Sequence, residues 1–451
     1  MACVGHQSAG LWRHPEDHGY RYRELGYWTE LARILEAGGF DALFLADVLG
    51  VYDVYGASRD AAVIDAAQFP VNDPTAAVSA MAAVTESLGF GITLSLTYEQ
   101  PYALARRLST LDHLTGGRVA WNIVTSYLDS AARNLGLNAQ IPHDQRYEIA
   151  DEYLEVCYKL WEASWESDAV VRDPERGVFT DPAKVHDIEH KGKYFSVPGP
   201  FLCEPSPQRT PVLFQAGASP RGVRFAAAHA EAVFVSGPTP QIVRGPVRAL
   251  RTAAAELGRD PGSIKVFTMV TPVVAETHGQ AVAKLAEYRK FVSAGGALAL
   301  FGGWTGVDLA QLDPDDPLRY VETNANRSAL ASFTTGAGAH LDGAGIGSGN
   351  RHRWSWPGTG RLARRSSRRT RALGRGGRCR RVQPGLRDDP RHLRRLREIR
   401  CARASSPRPG AGSRRAFDAS RTSRWHRTAA GGRSPRRCVP IPVKAQPLTS
   451  R

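Results

Sequence analysis

A serine, an arginine and two glycines follow one apolar segment of the chain closely enough to form a phosphate site. Residues 211–215 read as a buried strand, and Gly217 and then Ser219-Pro-Arg-Gly222 come after it. Serine followed by proline is a common start of a helix. Free N–H groups, the helix dipole, the Ser219 hydroxyl and the Arg221 guanidinium together suit a phosphate. An ordinary serine cap beside a solvated arginine is the alternative.

A histidine and a tyrosine form a second candidate group. His143 and Tyr147 lie four residues apart where a long helical segment begins. In a helix this spacing puts both side chains on one face, one turn apart. Imidazole and phenol both donate hydrogen bonds, which suits a phosphate or a polyol chain. A surface or capping histidine is the alternative that the residues leave open.

Three polar residues lie in or directly after apolar strands. Asp47 ends the first strand, Thr93 lies in the second, and Asn122 lies inside the third. Ligands of parallel barrels are met at the carboxyl ends of the strands, so these residues are candidate ligand contacts. Thr97, at the following turn, is an alternative to Thr93. Asn122 is the most informative of them, because a buried amide needs hydrogen-bond partners.

Two histidines, His6 and His14, flank the first connection of the chain beside Trp12. A histidine at the mouth of a barrel can hydrogen-bond a reacting group or a substrate there. We take His6 as the catalytic candidate. Simple exposure at a frayed N-terminus is the alternative.

The scaffold that would position these residues is a parallel sheet covered by helices. Short apolar runs alternate with longer helical segments, which is typical of this architecture. Six strands are predicted, over residues 42–46, 90–96, 118–124, 211–215, 232–235 and 264–270. Seven helices are predicted, over residues 25–37, 73–87, 102–114, 144–165, 219–230, 240–257 and 277–292. The pattern predicts an α/β fold of the (β/α)8 TIM-barrel type, short by a strand at each end, with the first strand beginning before Met1.

Two insertions interrupt the barrel, which we assign to residues 1–340. They span residues 48–72 and 167–208, and the second contains a predicted hairpin around His190-Lys-Gly-Lys193. Long connections of such barrels lie over the C-terminal mouth, where chemistry is done. Both insertions are therefore lid candidates.

Charge divides the chain into two parts. The whole chain has a formal net charge of +15, but from Arg351 onward it has 30 Lys and Arg against 4 Asp and Glu, which leaves −11 for the first 350 residues. A basic protein suggests a nucleic-acid or membrane partner, and the acidic body argues against both. Residues 341–451 form an Arg-, Gly-, Ser- and Pro-rich tail that is predicted to be disordered.

A shifted reading frame explains this tail better than a native basic arm for nucleic acid. If its arginines use CGN codons, an Arg-Arg pair read one base later encodes Gly, Ala, Asp or Val. With free choice of synonymous codons, the same shift over residues 361–389 permits an amphipathic helix followed by an apolar strand. Those are the pieces that the barrel lacks. We therefore interpret the tail as frame-shifted.

Several classes of protein are not indicated by the sequence. No apolar run reaches the length of roughly 18 residues needed to span a membrane, and the N-terminus does not read as a secretory signal. Six cysteines without a Cys-x-x-Cys pair indicate neither a disulfide framework nor a metal site. We find no catalytic triad, and no Gly-x-Gly-x-x-Gly after a strand for a nicotinamide. The expected compartment is the cytoplasm.

Seven segments, taken in order, resemble a known family. They resemble the bacterial-luciferase-like flavin monooxygenases, in particular the nitrilotriacetate and dibenzothiophene-sulfone monooxygenases, from about Val4 to Ala339. The departures are the missing start of the first strand and the lost eighth βα unit. The segments are Gly10-Leu-Trp-Arg-His14, Phe40-Asp-Ala-Leu-Phe-Leu-Ala-Asp47, Leu96-Thr-Tyr-Glu-Gln-Pro-Tyr102, Leu111-Asp-His-Leu-Thr-Gly-Gly-Arg118, Trp121-Asn-Ile-Val-Thr-Ser126, His143-Asp-Gln-Arg-Tyr147 and Gln215-Ala-Gly-Ala-Ser-Pro-Arg-Gly222.

The resemblance implies a two-component enzyme. A separate NAD(P)H:flavin reductase would supply reduced FMN, which reacts with dioxygen to oxygenate a small organic substrate. The implied FMN contacts are Asp47, Thr93, Asn122, His143, Tyr147 and Ser219. The resemblance also favours His6 as a residue that matters for activity. A homodimer or homotetramer is expected.

Three other readings stay open from the sequence. One is a related barrel that uses a deazaflavin for hydride transfer. Another is a non-catalytic flavin-binding barrel, since the lost C-terminal unit would leave the chain inactive. The third, a nucleic-acid binder with a basic tail, requires that the tail bind DNA with a steep salt dependence.

Overall fold

The computed structural model describes residues 1–217, 219–237 and 240–312, together with Thr323, Ala325 and the backbone of residues 381–384. All of these residues belong to one compact unit, Met1–Ser406. A second unit, Pro407–Arg451, lies outside the described residues. The predicted boundary between barrel and tail, at residues 340 and 341, also lies outside them.

The described residues form eleven strands. In chain order they are β1 (Ala42–Leu45), β2 (Gly89–Ser95), β3 (Val119–Val124), β4 (Val170–Asp173), β5 (Val178–Thr180), β6 (His190–Lys191), β7 (Ser196–Val197), β8 (Val212–Gln215), β9 (Ala232–Val235), β10 (Lys265–Val270) and β11 (Arg381–Pro384). Seven of them pair in parallel, in the order β1-β2-β3-β8-β9-β10-β11. The six predicted strands and the parallel barrel-type sheet are therefore confirmed.

One strand comes from the predicted tail. β11 runs parallel to β10, with Phe267 opposite Arg381. The free edge of β10 offers backbone groups that an extended segment can pair with, and residues 381–384 occupy that position. The rest of the tail lies outside the described residues. Within the described part, β1 and β11 are the sheet edges, and no strand closes the barrel between them.

Ten α-helices surround this sheet. They are α1 (Leu25–Ala37), α2 (Asp60–Ile64), α3 (Thr75–Ala82), α4 (Pro101–Thr115), α5 (Asp129–Asn134), α6 (His143–Tyr158), α7 (Pro220–His229), α8 (Pro240–Glu256), α9 (His278–Arg289) and α10 (Ala294–Thr305), counted within the described ranges. No helix of that part is both long and apolar enough to cross a membrane.

Two predicted helices end earlier than the pattern indicated. α3 ends at Ala82 instead of Ser87, because the Glu36 carboxylate accepts hydrogen bonds from the N–H groups of residues 86–88 and fixes them in a turn. α6 ends at Tyr158 and continues as one π-helical turn, Lys159–Ala163. Both ends lie away from the strand ends where ligands are expected.

Aromatic side chains fill the two faces of the sheet. Trp121 points outward from β3 and packs against Tyr153 and Trp161. The inner face carries a cluster of phenylalanines from four strands, Phe44, Phe214, Phe234 and Phe267. Gly91 is required beside this cluster, since a Cβ there would lie 2.9 Å from the Phe214 ring. The barrel interior is thus packed, and the open space lies at the strand ends.

The insertions pack against the barrel through specific contacts. The predicted hairpin is confirmed as β6 and β7, and the Glu152 carboxylate of α6 accepts hydrogen bonds from the N–H groups of residues 193–195 beside it. β4 and β5 form a second hairpin that was not predicted. In the first insertion, Ser130 of α5 donates to the Val51 carbonyl oxygen at 2.6 Å. This contact holds the loop after β1 against the loop after β3.

Candidate functional site

A cavity of about 200 Å³ opens at the carboxyl ends of β1, β3 and β8. The cavity extends across several neighbouring strand ends, because β1 and β8 are three positions apart in the sheet. Its wall is formed by Asp47, Val48, Leu49, Ile123, Val124, Thr125, Ser126, Tyr127, Leu128, Ala131, His143, Arg146, Tyr147, Gln215, Ala216, Gly217, Ser219, Phe225 and Ala325.

The end of the cavity beside β8 is formed by the start of α7, and we call it the α7 pole: Tyr147, Gln215, Gly217, Ser219 and Gly222. Ser219 caps α7, with its hydroxyl accepting from the Gly222 N–H at 3.1 Å, and Pro220 is the first helical residue. The predicted cap is thus confirmed. The Ser219 side chain also lines the cavity, where a helix N-terminus favours an anion.

Tyr147 meets the α7 pole from α6. Its hydroxyl takes part in hydrogen bonds with the side chains of Ser219 and Gln215, and burial raises the pKa of the phenol in spite of them. The hydroxyl fits against two glycines: a Cβ would lie 2.6 Å from it at Gly217 and 2.8 Å from it at Gly222. The Gln215 Oε1 atom is buried without a hydrogen-bond partner among the described residues. A ligand at this pole would meet a hydroxyl pair and an amide.

His143 lies one helical turn before Tyr147, and both line the cavity. The two rings pack edge to face with centroids 5.3 Å apart. The Nδ1 atom of His143 is 2.6 Å from the Asp144 carboxylate, which orients the imidazole. The structure therefore brings this predicted pair to one wall, beside Ser219.

Arg146 is a wall residue that the sequence analysis missed. It is only 2 % exposed, and it lines the cavity on the same face of α6 as His143 and Tyr147. An arginine in an amphipathic helix is usually solvated, which is why the pattern did not single it out. Its spacing of three residues from His143 was the available signal.

Arg221 is placed differently from the expectation for a phosphate ligand. Its guanidinium does not line the cavity. It forms an ion pair with Asp151 of α6 and lies over the Tyr147 ring, 5.5 Å from the centroid. In this structure Arg221 thus contacts Tyr147, a residue of the α7 pole, from the side that faces away from the cavity.

The opposite end of the cavity is formed by the loops after β1 and β3. Asp47 lines it, and burial raises the pKa of this carboxyl group to about 6. Ser126 also lines the cavity, and its φ of 55° is a left-handed conformation that is costly outside glycine and that recurs at functional sites. The Ser126 hydroxyl is 2.7 Å from that of Ser95. Sequence patterns carry no signal for such a conformation.

The raised pKa of Asp47 predicts how the flavin-free protein responds to pH. An aspartate in an unfolded chain has a pKa of about 3.9, so stability should fall as the pH rises through about 6 and this buried group ionises. Asp47→Asn removes that charge and should unfold at a higher temperature than the wild type at pH 8, with little difference at pH 4. Thermal unfolding at both pH values checks this, with Asp53→Asn, at an exposed pair with Arg133, as the control. An equal gain at pH 4 would contradict it.

Thr93 and Asn122 lie side by side on β2 and β3, just below the cavity wall. The Asn122 amide donates to the Thr93 hydroxyl at 2.9 Å, and the Asn122 Oδ1 atom has no hydrogen-bond partner among the described residues. Neither side chain is part of the wall. Thr97, the alternative to Thr93, donates to the Thr125 carbonyl oxygen and so orders a wall segment.

The N-terminal histidines lie outside this group. His6 is half-buried and does not line the cavity; its Nδ1 atom has no hydrogen-bond partner in the described part, and burial holds its pKa well below the usual value. His14 accepts from the Glu16 N–H and packs against Tyr288 and Phe291. His14 therefore ties the N-terminal segment to α9. No group of three or more potential metal ligands occurs among the residues that the structure describes.

Comparison with known proteins gives this site its context. The family model for luciferase-like monooxygenases matches residues 8–348. Dimethyl-sulfide monooxygenase of Hyphomicrobium sulfonivorans is 57% identical over 339 residues, which are 75% of this chain and 71% of that protein. Dibenzothiophene-sulfone monooxygenase of Rhodococcus erythropolis is 44% identical over 313 residues, 69% of each.

A solved structure agrees with the sequence match. The crystal structure of riboflavin lyase with modified FMN and substrate riboflavin superimposes with a TM-score of 0.80 at 34% identity, covering 89% of this chain and 90% of that one. The fold and the family that the sequence motifs indicated are thereby confirmed. The chain belongs to the luciferase-like monooxygenases, a family of flavin-dependent oxidoreductases.

Proposed function

We propose that this protein is a two-component monooxygenase that binds reduced FMN in the cavity, with the flavin phosphate at the α7 pole. The observation that carries the proposal is the Ser219 cap, whose hydroxyl meets the Tyr147 hydroxyl against Gly217 and Gly222. Two hydroxyls and the free N–H groups of a helix start form a suitable site for a dianion. Arg146 adds positive charge at the cavity wall, and Arg221 lies behind the pole, paired with Asp151.

The cavity wall offers hydrogen-bonding groups and space that suit a flavin nucleotide. The glycine contacts leave no room for a further side chain beside the Tyr147 hydroxyl, and the buried Gln215 Oε1 atom can accept from a ribityl hydroxyl. His143 is placed to donate to the same chain. The cavity reaches from the end of β8 to the end of β1, so a ligand with its phosphate at the α7 pole would have its ring system toward Asp47 and Ser126.

The chemistry is divided between cofactor and protein. Bound reduced FMN supplies the electrons and the reactive position for dioxygen. The chain would hold the phosphate and the ribityl chain, and the loop after β1, fixed to α5 through Ser130 and Val51, would lie beside the ring end. Asp47, with a pKa of about 6, is placed to hold a proton near the ring in mildly acidic solution.

The substrate is proposed as a small organic molecule without a more specific class. Relatives are named for dimethyl sulfide and for dibenzothiophene sulfone, which differ in size and polarity. The wall beside Asp47 has an aliphatic part, formed by Val48, Leu49 and Leu128. A panel of dimethyl sulfide and dibenzothiophene sulfone is therefore the first set to assay.

The requirement for a separate reductase tests the proposed function. Oxygen consumption tied to product should appear only when NADH, FMN and an added flavin reductase, or chemically reduced FMN, are present, because the sequence has no Gly-x-Gly-x-x-Gly after a strand for a nicotinamide. Oxygen uptake and product are measured together with the substrate panel. Rapid NADH oxidation by this chain alone would contradict the two-component mechanism.

A further inference from the structure

Six side chains join α6 to α7 behind the α7 pole, and we call this contact the α6–α7 seam. α6 contributes Tyr147, Asp151 and Tyr158, and α7 contributes Arg221, Phe225 and His229. The Phe225 ring packs against both Tyr147 and His229, with centroids 5.5 and 4.8 Å apart. The seam is therefore made of charged, polar and aromatic side chains instead of the aliphatic side chains that usually join two helices.

The centre of the seam is the carboxylate of Asp151. One oxygen pairs with the Arg221 guanidinium, and the other lies 3.4 Å from His229 Nε2. His229 is held in turn by the Tyr158 hydroxyl, 3.1 Å from its Nδ1 atom. Burial acts to raise the pKa of Asp151, but its hydrogen bonds with His229 and Arg221 lower it, so the group is ionised at neutral pH.

This arrangement has a consequence for charge at the α7 pole. Arg221 is the second residue of α7 and lies over the Tyr147 ring, so its positive charge is close to the pole. The Asp151 carboxylate neutralises that charge and holds the guanidinium outside the cavity wall. An anion bound at the pole would therefore compete with Asp151 for Arg221.

We propose that Asp151, oriented by His229, is a positioning residue that restrains Arg221 and so lowers the affinity of the site for the flavin phosphate. The inference rests on the proposed function. A flavin that arrives reduced and leaves oxidised on every turnover has to dissociate readily. A carboxylate that pairs with Arg221 would favour that dissociation by keeping its charge from the phosphate.

The test is whether one substitution, Asp151→Asn, raises or lowers the affinity for FMN. Asp151→Asn keeps the shape of the side chain and releases Arg221, so FMN should bind roughly tenfold more tightly, while riboflavin, which lacks the phosphate, should bind as before. A gain in affinity is not what structural damage produces. In the Arg221→Ala background the same substitution should change FMN affinity by less than about twofold, because the cation it releases is absent.

Fluorescence titration with FMN and with riboflavin measures these affinities. Glu155→Gln is the matched control, since it removes a carboxylate from the same helix that pairs with Lys159 instead of Arg221, and it should leave FMN affinity unchanged. If Asp151→Asn does not fold, Asp151→Ser carries the same expectation. If the wild type binds FMN more tightly than riboflavin but the Asp151 variant binds FMN no more tightly than the wild type, the inference about Asp151 is wrong and the proposed function stands. Failure of the wild type to prefer FMN overturns the proposed function as well.

Discussion

The double variant Ser219→Ala/Tyr147→Phe is expected to bind FMN at least about 100-fold more weakly than the wild type. Both hydroxyls meet at the α7 pole, and each hydrogen bond to a charged group is worth roughly 1.5–3 kcal/mol. Riboflavin has no phosphate, so its affinity should change far less. Titrations of both flavins with both proteins measure the difference.

A second capping serine provides the control for this variant. Ser293 caps α10 with the same geometry, its hydroxyl accepting from the Gly296 N–H at 3.1 Å, and it does not line the cavity. Ser293→Ala should cost stability of about 1 kcal/mol, as a lost cap does, and leave FMN binding intact. An equal loss of riboflavin and FMN affinity in the double variant would show that the α7 pole does not hold the phosphate.

Arg118→Ala is expected to have the largest effect on stability. This guanidinium lies at the end of the barrel opposite the cavity, immediately before β3, and donates to the Thr115, Leu88 and Ala82 carbonyl oxygens and to the Thr85 hydroxyl. Each buried acceptor left without a partner costs about 1–3 kcal/mol, so a loss of about 3 kcal/mol or more in the free energy of unfolding is expected. Urea unfolding followed by circular dichroism measures it.

The loss of stability in Arg118→Ala should not be accompanied by a loss of FMN affinity. Arg107→Ala, which removes a surface pair with Glu99, is the control and should cost less than about 1 kcal/mol. At low urea the folded fraction of Arg118→Ala should bind FMN as the wild type does, because no donor or acceptor of this cluster reaches the cavity wall. A variant as stable as Arg107→Ala would mean that these hydrogen bonds contribute little.

The sequence predicted six of the seven strands of the sheet, because each of those six is a short, mostly apolar run bounded by turn residues, whereas β11 is not apolar. The Ser219 cap and the shared face of His143 and Tyr147 were also predictable, since both follow from spacing along a single helix. α10 was missed because Ala294–Thr305 is rich in glycine and alanine and apolar on all sides, so no helical period is visible.

The parts of the site that could not be predicted depend on contacts between distant segments. The partner of Arg221 is Asp151, 70 residues away in the chain, and only the packing of α6 on α7 brings the two together. The burial of Arg146 and the left-handed conformation of Ser126 likewise arise from the tertiary structure. His6 shows the opposite case: its residue type and position suggested the site, but its side chain does not line the cavity.

A crystal structure of the protein with FMN tests the central claim most directly. We predict that the phosphate lies within hydrogen-bond distance of the Ser219 Oγ and Tyr147 Oη atoms, with the ring system extending toward Asp47 and Ser126. The protein is crystallised with FMN at a concentration well above its dissociation constant. Phosphate density at the Asp47 end, or a fully occupied FMN outside this cavity, would contradict the account.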